Sequence, residues 1–441
     1  MTQSPFPVTR RTLLAGLGGT ILSPWLAWPG RAQGRPALAL QAGAGNIALR
    51  PGAETAIWRL TGAADGPLKF RRGDGIDVVL ENRLPVPVAL NWTGLAGAAS
   101  AEPLLGRPAL AVGGKDAFAV KLRHAGTSLL DLRLLGDGQT APASARAVVV
   151  QETEPVAVDH DEVMLIEDFR LRTDGSAVAP GADPKDATPL FTVNGKASFD
   201  LTLKANERLR LRLINGCQRA IIAIKIEDHD VRVMAIDGQP SEPFPARNGQ
   251  LVLAPGTRID VFIDATRPAG SASTILLHDG KAPRPIGKLL ISGDAPLRDK
   301  PLPPAAPLPS NGLPAQLDLK NALRVDIPLG DPAAVPPDWI RPADLSDRIK
   351  SAFRAKTGRT VVLALTNRAA VPSVFHLHGH HFRLLDRLDD GWKPFWLDTL
   401  AIDPGQTHRI AFAADQPGRW LIQAMDADWA ASRMLRWYEV G

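Results

Sequence analysis

Residues 207–216 read "ERLRLRLING", and this stretch decides the architecture. Leucine and arginine alternate with the period of two that marks a β-strand, and the run stops at the turn-forming pair Asn215-Gly216. Two other stretches have the same form: "GIDVVLENR" (75–83) stops at Asn82 and "RTVVLALTNR" (359–368) stops at Asn367. Each is followed by a glycine turn and an alternating strand: "VGGKDAFAVKL", "APGTRIDVFID" and "DPGQTHRIAFA". Each unit then closes with an apolar strand, "AGTSLLDLRL", "SASTILLHDG" or "PGRWLIQAMD". The asparagines are spaced 133 and then 152 residues apart, the length of one β-sandwich. Helical periodicity is scarce, and its best case is "ADLSDRIKSAFRA" (343–355). The expectation is an all-β chain of three consecutive Greek-key sandwiches. They would span 33–155, 156–298 and 299–441, with a Pro-rich linker at about 294–314.

Composition sets the outer limits. A chain of 441 residues is too long for one ordinary domain, and its 45% hydrophobic and 22% charged content is that of a folded globular protein. Arg10 and Arg11 precede an apolar run over 13–28, and "GRA" (30–32) follows as a cleavage site. The run is shorter than the ~20 residues of a spanning helix. Residues 1–32 are therefore expected to be a twin-arginine export signal, placing the mature chain in the periplasm with no membrane span. The formal charge of +5 falls to +2 once Arg10, Arg11 and Arg31 are removed, which supports no nucleic-acid surface. The single cysteine, Cys217, excludes an internal disulfide framework and reads as a buried structural thiol.

The third unit carries "VFHLHGHHF" (374–382), with four of the nine histidines in six residues. His376 and His378 flank one leucine, so in a strand they share a face. Alternating imidazoles of this kind suit copper or another transition metal.

Three tandem sandwiches with "HLHGHHF" in the last resemble the multicopper oxidases, whose domains are cupredoxins. Phrases similar to that family's run along nearly the whole mature chain: "DHDEVMLIEDFRL", "FTVNGK", "AIDGQP", "APGTRIDVFIDA" and "LDTLAIDPGQTHRIAFAADQPGRWLI". The resemblance implies four copper-binding segments, and these are largely lost. The family's His-Trp-His-Gly reads Asn91-Trp92-Thr93-Gly94, and its second segment places Asp131 and Arg133 at the histidine positions. In the third segment Ser373 replaces the blue-copper histidine, while His376 and His378 match cluster ligands. In the fourth, the His-Cys-His triplet reads Gln423-Ala424-Met425, Trp429 replaces the later histidine, and only Met434 matches the weak axial ligand. An arginine is always protonated and cannot ligate copper. Without a thiolate at Ala424 there is no entry port for electrons.

The resemblance therefore implies a cupredoxin-like fold that has shed its oxidase chemistry. No resident cofactor and no catalytic residue is expected. His376 and His378, with Met434 as the weakest donor, are the candidate remnant of a metal site. The polar groups at the former ligand positions, Asp131 and Arg133 among them on one strand face, are expected to satisfy the two histidines. The expected role is a monomeric, non-catalytic scaffold or binding protein of the envelope or division machinery with a protein partner. That expectation follows a copper-free branch of the family that serves cell division. The alternative is a copper-binding protein or divergent copper-dependent oxidoreductase built on His376 and His378.

Overall fold

The protein is described here by a computed structural model over residues 35–62, 65–330, 339–386, 391 and 393–441. The export signal expected at 1–32 lies outside the described residues. From Pro36 onward the chain is one compact unit whose regular structure is strand, with a few 3₁₀ turns among the described residues.

Its strands form three pairs of sheets that repeat one wiring pattern. In the first unit the strand Ala37–Arg50 runs parallel to Gly75–Asn82, which pairs antiparallel with Lys115–Lys121. In the second, His160–Leu171 runs parallel to Arg208–Asn215, which pairs with Arg258–Asp264. In the third, Leu323–Leu329 runs parallel to Thr360–Asn367, which pairs with Thr407–Ala413. The facing sheets are built on the hairpins Gly126–Asp131 with Arg146–Gln151, Ala272–His278 with Pro283–Ile291, and Gly418–Asp426 with Met434–Val440. Each sandwich encloses its own apolar core. The expected all-β architecture of three Greek-key sandwiches is present.

The asparagine that ends each central strand has a physical reason to be there. Asn82, Asn215 and Asn367 are fully buried. Each Oδ1 accepts the backbone N–H two residues on, from Leu84, Cys217 and Ala369. Each Nδ2 donates to a carbonyl four or five residues on, at Val86, Ala220 and Val371. The same Nδ2 also reaches across the sandwich to Leu110, Leu253 and Ile402. One short side chain thus closes a turn and ties it to the neighbouring strand.

The stretch with the best helical periodicity, 343–355, holds no α-helix; a 3₁₀ turn at Pro342–Asp344 opens it and the short strand Arg354–Ala355 closes it. Leu345 and Ile349 pack against the cluster around Trp437, so the apolar spacing docks a loop rather than building a helix face. Asp131 and Arg133 also do not share a strand face, because the strand ends at Asp131 and Arg133 begins a 3₁₀ turn.

Candidate functional site

His376 closes the strand Ser373–Leu377 on its inner side, and His378 follows one residue past its end. Their rings meet edge to face, with centroids 4.8 Å apart. All four histidines of the run are buried. Gly379 makes the sharp exit possible: its φ of +76° is left-handed, and an added Cβ would stand 2.3 Å from the Trp420 ring.

Most histidine nitrogens in this cavity face a protein partner. His378 Nδ1 lies 2.8 Å from Glu102 Oε1, and its Nε2 contacts Gln423 Nε2. His376 Nδ1 lies 2.9 Å from Thr399 Oγ1 and 3.5 Å from Asp398 Oδ1. Gln416 N–H donates to His380 Nε2, so the His380 hydrogen sits on Nδ1 and goes to the Tyr438 hydroxyl at 2.7 Å. That hydroxyl donates in turn to His378 O at 2.6 Å. His381 Nε2 reaches Asp237 O and Gln239 Nε2 at 3.1 and 3.3 Å. Burial lowers the pKa of His376 and pushes those of His380 and His381 down to about 3 and about 4.

Several former ligand positions join this network, and one does not. Asn91 accepts from Gln423 Nε2 at 3.5 Å and donates to Asp131 Oδ1 at 3.4 Å. Gln423 Oε1 accepts from Arg433 Nη1 at 2.6 Å. Asp131, Asn91, Gln423 and His378 therefore form one chain of polar contacts. Arg133 turns away into the boundary between the first two sandwiches. It binds Glu167 Oε1 at 2.5 Å, Ala143 O at 3.0 Å and Gly216 O at 2.6 Å. Thr93 is buried in the wall close to Gly256.

The positions of the blue-copper centre are likewise filled. Ser373 Oγ donates to Asp426 Oδ1 at 2.5 Å and to Asn367 Oδ1 at 3.1 Å. Trp429 is buried under the Arg170 guanidinium, which lies 4.4 Å above its ring, and its Nε1 donates to Ala179 O. Ala424 packs in the core and Met434 packs against it, opposite in the ladder. Met425 Sδ contacts Arg219 Nη1 at 3.9 Å. Cys217 is buried in the second sandwich, and burial raises its thiol pKa, so it supplies no thiolate here.

Beside the histidines stands a charged cluster that sequence reasoning missed. Arg258 of the second sandwich grips Asp398 of the third with Nη1 and Nη2, at 2.8 and 2.6 Å. Asp237 accepts the backbone N–H groups of Arg258, Asp398 and Thr399. Burial alone would raise the Asp398 pKa, but Arg258 overrides it and holds it well below the usual range. Burial and then the adjacent Asp398 push Asp237 up to about 7. Asp237, Arg258 and Asp398 stand singly in "AIDGQP", "APGTR" and "LDTL", and only the fold brings them together.

The fold and this site define a three-cupredoxin protein whose metal cavity is lined by amides, carboxylates and guanidinium groups. Two family models described as multicopper oxidase match residues 146–272 and 320–441, and the chain belongs to the multicopper oxidase family. It is 25% identical over 412 residues to the multicopper oxidase MmcO of Mycobacterium tuberculosis, covering 81% of this chain and 78% of that one. It is also 25% identical over 393 residues to the cell division protein FtsP of Escherichia coli, covering 82% and 80%. A solved multicopper oxidase from Pseudomonas thermotolerans superposes with a TM-score of 0.77 at 24% identity, covering 92% of this chain and 99% of that one.

The family's coppers require imidazole and thiolate donors with free lone pairs. Of the positions that would supply them, only His376, His378 and Met434 carry a donor of the family's kind, and His378 has a protein partner at each ring nitrogen. Two buried guanidinium groups bond to residues of this network, Arg258 to Asp398 and Arg433 to Gln423. Among the described residues no three His, Cys, Asp or Glu groups are arranged to hold a metal ion. The residues present do not fit a blue-copper or trinuclear centre.

Proposed function

We propose that the chain is an exported, non-catalytic member of its family, a scaffold or binding protein of the bacterial envelope or its division machinery. The observation that carries this reading is the refilled cavity: Glu102 and Gln423 face the two ring nitrogens of His378, and Asn91 bonds to Gln423, where a copper cluster would need open imidazoles. Similarity to FtsP over four-fifths of both chains supports the division role. Export is supported by Arg10 and Arg11 ahead of the apolar run over 13–28. Among the described residues no helix is long and apolar enough to cross a membrane. A monomer that acts through a protein partner is part of the same proposal.

The second reading, a single copper held by His376 and His378, draws on the proximity of the two rings. A deletion strain separates the two. Filamentation restored by both the wild-type chain and a His376→Gln/His378→Gln double variant, which removes the imidazoles but keeps hydrogen-bonding groups in the buried network, is expected. Copper sensitivity without a division defect would instead favour metal handling.

A further inference from the structure

Arg433 is a buried cation whose bonding is unfinished. It is 7% exposed, and its guanidinium donates through Nη1 to Gln423. Its Nε is a buried donor that meets no acceptor. Asp137, the acid beside it, takes its backbone N–H at 2.6 Å but is held by Arg219, whose Nη2 lies 2.8 Å from both carboxylate oxygens. Burial, and then the Arg219 charge, pull the Arg433 pKa down to about 10. A buried donor left without an acceptor is costly, and native proteins rarely keep one without a use.

Arg433 is also among the residues lining a cleft of about 600 Å³, formed mainly by the first and third sandwiches with Gly181 from the second. This is within the size range of small-molecule sites. Leu104, Leu134, Leu135, Pro342 and Leu345 supply apolar wall. We propose that this cleft binds a small monocarboxylate with an apolar body, its headgroup on Arg433 and its body along the leucines. A guanidinium fork matches a carboxylate in geometry and charge. Asp137, also in the wall, opposes a second negative charge beside Arg433, and the wall's other guanidinium, Arg341, is engaged by Asp344 at 2.8 Å. Arg433 touches the His378 network through Gln423, but the cleft is lined by none of the histidines and the proposal does not rest on the scaffold role.

Calorimetric titration of the full chain with octanoate, and with octan-1-ol as the uncharged match, tests this. One saturable octanoate site is expected, with octanol at least about tenfold weaker, the worth of a charge-assisted hydrogen bond. Arg433→Gln should erase that preference. Ala343→Trp, on the exposed rim and outside the polar network, should block both ligands while leaving the circular dichroism spectrum unchanged. Absence of saturable octanoate binding, equal affinity for the two ligands, or octanoate binding unaffected by Ala343→Trp would each overturn the proposal. The last result decides even if Arg433→Gln fails to fold.

Discussion

Asn367 illustrates how much a single residue specifies. Its amide donates to Val371 and Ile402 and accepts from Ala369, all inside the third sandwich. Asn367→Ala would strand these groups in the core and should lower stability by about 2–4 kcal/mol in urea unfolding; a loss below about 0.5 kcal/mol would contradict that role. The turn at each asparagine was legible from its place after an alternating run. The tie across the sandwich was not, because Ile402 is 35 residues away. His124 gives a pH signature at the same scale. Burial, then His381, hold its folded pKa down to about 3, against about 6.5 when unfolded. The folded state thus refuses a proton that the unfolded chain accepts. The stability contributed by this one residue is full above about pH 6.5 and falls by about 1.4 kcal/mol per unit as the pH drops toward 3. His124→Gln should flatten the fall in melting temperature over that window; an unchanged profile would count against it.

The strand Arg208–Asn215 shows what alternation does and does not reveal about an element. Period two identified it as a strand, but its arginines are no more exposed than its leucines. The leucines enter the core of the second sandwich. Arg208, Arg210 and Arg212 lie beneath neighbouring segments, paired with Asp264, with Glu152 and Asp260, and with Asp161 and Asp260. Charged residues can be this deep only when paired, and their partners come from other strands and from the boundary with the first sandwich. Sequence alone could not supply those partners. Arg258, on the adjacent strand, carries the same logic into the third sandwich through Asp398. Arg258→Met would leave two buried carboxylates without their cation, and should cost about 3–5 kcal/mol by denaturant titration. A loss under about 1 kcal/mol would mean that the pair does not couple the two sandwiches. The 343–355 segment is the opposite case, where helical spacing was read correctly as apolar periodicity but serves loop docking.

Across the whole molecule, the order of the sandwiches was legible because it is written in local phrases, as were the residue types at the positions compared with the family's ligands. What surrounds His378 was legible only in part. Gln423 contacts His378, and Asn91 and Asp131 join it at one and two bonds' remove, whereas Arg133 serves the boundary between sandwiches. Glu102 and Arg433 went unnoticed because neither occupies a former ligand position. The cavity now has a structural role. His378→Ala would leave the buried Glu102 with the Leu421 N–H but without its imidazole, and should destabilise the fold by about 2–4 kcal/mol. The most direct test of a cavity closed to copper chemistry is to load the purified protein with copper, remove excess, and measure bound metal together with the visible spectrum. Less than one tightly held copper per chain and no blue absorption band are expected. More than one tightly held copper, or a blue band, would contradict it.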